Sequence, residues 1–279
     1  MSAVPLELNC AVIALVGGDA GSRCAAALAR ETGSAPVMVD NSAPGGAPVP
    51  GRRRAAIAQI GGELVALVED TTLVAPGWAA AVRAGLADPA VAAVWGPVRI
   101  APDLGARYRA LGRMEYGRFH GQFQGSAALP QSPPGNCMAF RRVALDAVLA
   151  PDDGFAEHQV AAALRRAGWS IAFAPGAASS YAVANLHGAR LATRFGHGRL
   201  YAATSRAPGD IAGRIVGAAK AVLVPLVLTA RTFGHARAAA PARLWLAEMP
   251  HVALMALAWG AGEFTGHLFG KGDSERTWR

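Results

Sequence analysis

Acidic side chains follow three short apolar runs within the first 70 residues. Carboxylates can bind divalent metal ions or accept protons in an active site. One acid after an apolar run commonly caps a helix or forms a turn, and we interpret the first of these acids in that way. Their repetition at three run ends nevertheless indicates a binding site. The acids at these ends are Asp19, Asp40, Glu69 and Asp70.

The pattern around these acids predicts alternating strands and helices. The uninterrupted apolar run at 63–68 is typical of a central parallel strand that is covered on both faces. We therefore expect an α/β fold built from βαβ units, with ligands bound beyond the carboxyl ends of the strands. The expected strands are 11–16, 36–39, 63–68, 92–99, 135–140 and 170–174.

The composition favours a folded protein whose positive charge lies in its last third. The chain has 279 residues, of which 52% are hydrophobic and 16% charged, with a net charge of +8. Residues 190–279 hold 12 Lys and Arg against 5 Asp and Glu, hence +7 of that charge. Because long apolar stretches separate these arginines, we expect an anionic membrane surface rather than nucleic acid as the partner. The three cysteines lack the spacing of a zinc site or disulfide framework.

Long apolar helices are predicted near the C-terminus, at 211–230 and 251–269. Charged residues interrupt both, so each is a marginal candidate for a transmembrane span. We expect them to lie in the membrane interface, anchored by arginines and by Trp245 and Trp259. Covering the sheet, or forming a homo-oligomer, is the alternative left open. The segment at 121–134 is predicted to be a loop over the site.

Three segments, taken in order, resemble the family 2 glycosyltransferases of the GT-A fold. The resemblance extends over roughly residues 10 to 180 and implies a mostly parallel, Rossmann-like sheet flanked by helices. The segments are 67–78 (LVEDTTLVAPGW), 134–142 (PGNCMAFRR) and 154–175 (GFAEH, LRRAGW and FAP in order).

The resemblance assigns roles to the acids. It implies that Asp40 binds the nucleobase and that Glu69 and Asp70 approach the ribose and the diphosphate. Asp70 would hold a divalent metal, Mn or Mg, that stabilises the leaving diphosphate. Glu157 would be the catalytic base.

Three further residues complete the expected site. Asn136, from the second segment, is placed among the nucleotide-binding residues. Arg53 or Arg54 would contact the nucleotide, with Arg54 preferred, although the arginine triplet is equally typical of a solvated helix start. His158 is an alternative base, because an imidazole titrates near neutral pH, but a histidine at a helix start is commonly a surface or capping residue.

The sequence departs from the family pattern at three places. Thr71 replaces the last metal-binding acid, His158 the usual Asp, and Tyr181 a His. A hydroxyl holds Mg or Mn less firmly than a carboxylate does. The metal would therefore be held by Asp70 alone with water and phosphates, or replaced by Arg194 and Arg199, or catalysis would be lost.

The resemblance implies an inverting glycosyltransferase of bacterial type. A GT-A domain over residues 1–190 would take a sugar from a nucleotide-diphosphate sugar. A helical region over 191–279 would hold the enzyme at the cytoplasmic face of the inner membrane, where the acceptor is a lipid or a lipid-linked sugar. Two alternatives remain: a catalytically degenerate membrane-bound partner, and a dinucleotide-binding oxidoreductase suggested by the glycines at 17–21.

Overall fold

A computed structural model describes residues 6–40, 47–121, 132–150, 154–205 and 210–277. Most of the predicted loop at 121–134 lies outside these residues. The chain divides into two compact units. The sheet unit comprises residues 1–99 and 119–183, and the helical unit comprises residues 100–118 and 184–279. This division is not the linear one at residue 190, because a helix from the middle of the sequence packs with the C-terminal helices.

The described residues form strands and helices in the expected alternation. The strands are β1 (Leu8–Ile13), β2 (Val37–Val39), β3 (Leu64–Glu69), β4 (Thr72–Val74), β5 (Val91–Trp95), β6 (Val98–Ile100), β7 (Cys137–Arg141), β8 (Ser170–Phe173) and β9 (Ser179–Tyr181). The helices are α1 (Asp19–Thr32), α2 (Val49–Gln59), α3 (Trp78–Gly85), α4 (Ala106–Tyr116), α5 (Arg142–Val148), α6 (Glu157–Arg166), α7 (Leu191–Thr204), α8 (Ile211–Ala221), α9 (Val224–Ala239) and α10 (Ala242–Phe269).

Six strands form the main sheet, in the order β2-β1-β3-β7-β5-β8. β7 runs antiparallel to both of its neighbours, whereas the β1–β2, β1–β3 and β5–β8 pairs are parallel. The expected mostly parallel sheet flanked by helices is therefore confirmed. Every residue of β3 is buried, and alternate side chains enter two different apolar clusters, one on each face of the sheet. This arrangement explains why its sequence is apolar without alternation.

A second, three-stranded sheet was not expected from the sequence. It has the order β4-β9-β6, and each of its strands has only three residues. Strands this short carry too few residues to show an alternating pattern. Since only two residues separate β3 from β4, this small sheet fixes the direction in which the chain leaves the acidic strand end.

The helical unit contains α4 and α7 to α10. The predicted helix at 211–230 is broken into α8 and α9, which bend by 57°. Pro225 lies in the first turn of α9, the place in a helix where a missing N–H is tolerated. α10 has 28 residues and, by length and composition, is apolar enough to cross a membrane. It is a candidate membrane-associating segment.

A buried ion cluster joins α4 to α10. Glu248 is fully buried, and its two carboxylate oxygens accept hydrogen bonds from Arg109 Nε at 2.8 Å and Arg113 Nε at 2.9 Å. The two arginines are four residues apart, so they lie on one face of α4. This pairing explains why residues 100–118 belong to the helical unit.

Glycines allow α7 and α10 to pack backbone against backbone. A Cβ atom at Gly262 would collide with the carbonyl oxygen of Phe195, and one at Gly266 with that of Arg199. Gly198 of α7 faces the carbonyl of Trp259 in the same way. Only glycine fits at these positions, so this helix contact depends on residues without side chains.

We predict that alanine substitutions at two helical glycines have opposite effects on stability. Gly262→Ala forces α7 and α10 apart and lowers the free energy of unfolding by about 1–3 kcal/mol. Gly234→Ala in α9 has no atom within 4 Å of the new Cβ, so it raises the free energy of unfolding by about 0.5–1 kcal/mol through helix propensity. Urea unfolding of both variants measures the difference, and equal effects would contradict the close helix contact.

Candidate active site

The predicted acids meet at one edge of the main sheet. Residues 13, 39 and 69 are in register across β2, β1 and β3, which run parallel. Asp40 and Asp70 are the next residues after β2 and β3, so both lie at the carboxyl edge of the sheet. Asp40 is exposed there, whereas Asp70 and Glu69 are buried.

Arg53 joins Glu69 to Glu157 at this edge. Its Nη2 lies 2.8 Å from Glu69 Oε1, and its Nη1 lies 2.7 Å from Glu157 Oε2. Nη2 also donates to the carbonyl oxygen of Gly135 at 3.0 Å. The Arg53 and Glu69 side chains are 4% and 6% exposed, but that of Glu157 is 26% exposed. One guanidinium therefore brings together the end of β3 and the start of α6 and leaves Glu157 accessible.

Arg53 also controls the ionisation of Glu157. Burial raises the pKa of this carboxyl, but the charge of Arg53 and its hydrogen bond outweigh burial, so the pKa lies below its usual range. Glu157 is consequently a carboxylate at neutral pH. A carboxylate that is partly exposed and ionised can accept a proton from a bound hydroxyl.

Asp70 holds the loop that follows β1. Its Oδ1 accepts from the backbone N–H of Leu15 at 3.0 Å, and its Oδ2 accepts from Val16 at 2.9 Å and from Gly17 at 2.7 Å. Gly17 and Gly18 have φ angles of 77° and 56°, which glycine adopts without strain. The turn at Gly17 and Gly18 thus lets the N–H groups of residues 15–17 point at a carboxylate. These three N–H groups are occupied by Asp70, so they are not available to a pyrophosphate.

The carboxylates at the end of β3 do not fit a divalent metal as they stand. Asp70 has no exposed surface and bonds to three backbone N–H groups, while Glu69 is paired with Arg53. Thr71 offers only a hydroxyl. Over the residues that the structure describes, no group of three or more His, Cys, Asp or Glu is placed to hold a metal. The geometry gives Asp70 a structural role, and metal binding by Asp70 stays a prediction.

The arginines of α2 differ in burial. Arg52 and Arg53 are both 4% exposed, whereas Arg54 is half-buried. Arg52 bonds to the carbonyl of Ala14, and burial lowers its pKa against the opposing effect of Asp70. The sequence alone favoured Arg54 and overlooked Arg52. The signal available was the triplet itself, but only packing of α2 on the sheet decides which of three adjacent residues points inward.

Asn136 lies just before β7 and contacts the chain at the end of β3 and the start of β4. It is fully buried, and its Nδ2 donates to Thr72 Oγ1 at 2.9 Å. Its backbone carbonyl accepts from the N–H of Glu69 at 2.9 Å. The side chain therefore ties the start of β7 to the start of β4, and the backbone carbonyl ties it to the end of β3. This arrangement positions Glu69, and nucleotide binding by Asn136 stays a prediction.

Four further residues lie in surroundings that differ from one another: His158, Arg194, His197 and Arg199. His158 is exposed, next to Glu157 on α6. Arg194 belongs to the helical unit, where it pairs with Glu115 at 2.7 Å and contacts His197 Nδ1 at 3.0 Å. His197 lies in α7, and burial lowers its pKa to about 3, so the ring is neutral. Arg199 donates to the carbonyl of Gly270 at 2.8 Å.

We predict that Asp70→Asn destabilises the protein in the absence of any metal. The amide replaces one acceptor oxygen by an NH₂ group that faces a backbone N–H, which lowers the free energy of unfolding by on the order of 3 kcal/mol. Asp19→Asn, an exposed change of the same charge beside the same loop, is the matched control and leaves stability within about 0.5 kcal/mol.

Urea unfolding in EDTA measures this effect, and repeating it with Mn²⁺ separates the two roles. An Asp70→Asn variant that matches the wild type in EDTA but loses a Mn²⁺-dependent stabilisation would show that Asp70 is a metal ligand after all.

Comparisons with known proteins agree with this fold. A profile of the glycosyltransferase like family 2 matches residues 6–203. No curated protein matches the sequence. A solved structure with a similar fold is the mannosyltransferase PcManGT from Pyrobaculum calidifontis in complex with GDP-Man and Mn²⁺. It is 18% identical, with a TM-score of 0.53, and the alignment covers 95% of this chain and 88% of that one.

At this identity the structural likeness shows the fold alone, the GT-A-like fold that the sequence led us to expect. The family match spans well over half of the chain and includes β1 to β9 and the site carboxylates Asp40, Glu69, Asp70 and Glu157. The chain belongs to the glycosyltransferase like family 2.

Proposed function

We propose that this protein transfers a sugar from a nucleotide-diphosphate sugar to an acceptor hydroxyl, with inversion at the anomeric carbon and Glu157 as the base. Membership of the glycosyltransferase like family 2 supports the transferase class. The observation that carries the proposal is the pairing of Arg53 with both Glu69 and Glu157, which sets an accessible carboxylate at the carboxyl edge of the sheet.

The proposed reaction is a single displacement. The acceptor oxygen bonds to the anomeric carbon while the bond to the diphosphate breaks, and the electron pair leaves with the nucleoside diphosphate. Glu157 takes the proton of the acceptor hydroxyl. Because burial raises the pKa of Glu157 and Arg53 lowers it, any movement of Arg53 toward the departing negative charge makes Glu157 a stronger base. Proton transfer and leaving-group departure would then be coupled through one side chain.

The donor is proposed to bind at the edge formed by the ends of β1, β2 and β3. Asp40 is exposed at this edge, as a group that contacts a nucleobase must be. The similar mannosyltransferase was solved with GDP-Man and Mn²⁺, so guanosine diphosphate and Mn²⁺ belong in any binding test. A thermal-shift panel of UDP, GDP and dTDP, with and without Mn²⁺, identifies the base and the metal requirement.

The acceptor is proposed to be a lipid or a lipid-linked sugar at the cytoplasmic face of a bacterial inner membrane. Support comes from the basic charge of residues 190–279 and from α10, which is long and apolar enough to enter a bilayer. A catalytically degenerate nucleotide-binding relative remains the second candidate, because Thr71, His158 and Tyr181 depart from the family pattern.

We predict that Glu157→Gln abolishes sugar transfer but not nucleotide binding. Removing a general base lowers the rate by about 10²–10⁴-fold, because the acceptor proton has no other receiver. His158→Gln, the exposed neighbour on the same helix, is the control and keeps most of the activity. Release of nucleoside diphosphate measures the rate, and the product's anomeric configuration by NMR tests inversion.

Loss of activity in His158→Gln with retention in Glu157→Gln would assign the base to the histidine. A wild-type protein that binds nucleotide but turns over no donor with any acceptor would favour the degenerate relative.

We predict that Arg53→Met moves the acidic limb of the rate profile to higher pH. In the wild type, Arg53 holds the pKa of Glu157 below its usual range, so activity persists as the pH falls. Without that charge, burial alone acts and raises the pKa, so the base is protonated, and activity is lost, at a higher pH. Arg53→Lys keeps the charge and shifts the limb less. Profiles of kcat from about pH 4 to 9 measure the shift, and an unchanged limb in Arg53→Met would exclude Glu157 as the titrating base.

A further inference from the structure

An apolar cavity of about 350 Å³ lies among α8, α9 and α10 of the helical unit. Its walls are Ala221, Val222 and Pro225 on one side, and Leu257, Ala261 and Phe264 on the other. Its size is that of a small ligand site. The space lies at the bend between α8 and α9, and Gly260 of α10 closes it on one side, because a Cβ there would come within 2.7 Å of the Pro225 ring and only glycine allows this close approach.

The lining of the cavity offers hydrocarbon and almost no polar atoms. The hydroxyl of Thr265 is its one polar side-chain group, and this hydroxyl donates to the carbonyl of Ala261 in the same helix at 2.8 Å. A cavity of this chemistry does not hold ordered water well and suits an apolar occupant. Its ligand class is therefore an aliphatic chain.

The cavity opens onto an apolar surface. Val222, Leu257 and Phe264 line it and are also 67%, 55% and 41% exposed. Leu223 and Leu226, next to the cavity along the chain, are 60% and 71% exposed. A concentration of exposed large apolar side chains on neighbouring helices is unusual for a surface that faces water. A chain entering from a bilayer would meet apolar contacts before it reached the cavity.

The charges on the same helices select an anionic headgroup. All seven charged residues of α8 to α10 lie in the described part of the chain. Of these, the fully exposed ones are all cations, whereas Glu248 is buried and Glu263 is half-buried. The exposed cations are Lys220, Arg231, Arg237 and Arg243. Lys220 directly precedes the lining residues Ala221 and Val222, and an exposed cation beside an apolar opening complements a lipid phosphate and its chain.

We propose that this cavity binds the hydrocarbon tail of the acceptor, an anionic single- or multi-chain lipid phosphate. The inference rests on the proposed function in one respect: it takes the lipid to be the acceptor of the transferred sugar. The cavity holds the end of the chain, and Lys220 holds the phosphate at the opening. Acceptors are then distinguished by the presence of a chain long enough to enter the cavity.

Calorimetric titration of the full chain with decyl phosphate, below its critical micelle concentration, tests this site. We expect saturable binding to one site, with no detectable heat for ethyl phosphate, which has the headgroup without the chain. Ala261→Trp fills the cavity from an exposed wall position and weakens binding at least tenfold. Ala247→Trp, at an exposed position of the same helix outside the lining, is the matched control and leaves the affinity unchanged.

Equal affinities of the two tryptophan variants, or binding that never saturates, would overturn the proposal. So would light scattering that shows a lipid-free dimer disrupted by Ala261→Trp, since the cavity would then be covered by a second copy. The test uses no sugar donor, so its outcome is separate from that of the proposed reaction. Sugar transfer to a chainless acceptor without any decyl phosphate binding would remove this inference and leave the proposed function standing.

Discussion

The active-site edge of this protein depends on one buried guanidinium. Arg53 pairs with the last residue of β3 and the first residue of α6, and it also bonds to the backbone just before β7. Two carboxylates this close would repel each other and protonate if no cation separated them. With Arg53 between them, the pKa of Glu157 stays below its usual range, and three segments that are distant in sequence are fixed at one place. The same ion cluster therefore joins these segments and holds Glu157 in place for the proposed reaction.

Asp70, the residue after Glu69, is also a buried acid with a structural role. Asp70 is fully buried and accepts hydrogen bonds from three backbone N–H groups of the loop after β1, and its charge also interacts with that of Arg52. Adjacent acids at one strand end thus have different hydrogen-bond partners: Glu69 accepts from the Arg53 side chain, and Asp70 accepts from the backbone of the loop after β1. The Gly17–Gly18 turn follows from the second pairing, because the loop must curl to present its N–H groups.

The helical unit is held together by other kinds of contact. Glycines bring α7 and α10 into backbone contact, and a buried Glu248 holds α4 against α10 through two arginines. These contacts bury one side of α10. Large apolar side chains on its other side, and on α8 and α9, are exposed in the described part of the chain. The cavity lies at the bend between α8 and α9. A rigid packed side and an apolar open side are the arrangement expected of a unit that meets lipid.

The sequence by itself determined the fold class, the family resemblance and the gathering of acids at strand ends, because apolar periodicity and strand ends are local properties of the chain. It also located α6 and placed Glu157 at its start. Only the tertiary structure decided what each charge does. Arg52 and Arg53 point inward rather than Arg54, Asn136 is buried beneath the site, Asp70 bonds to a loop, and Arg194 pairs with Glu115. These outcomes depend on which side chains meet across the sheet or between helices, and contacts between residues distant in the chain leave no mark on the pattern of either segment alone.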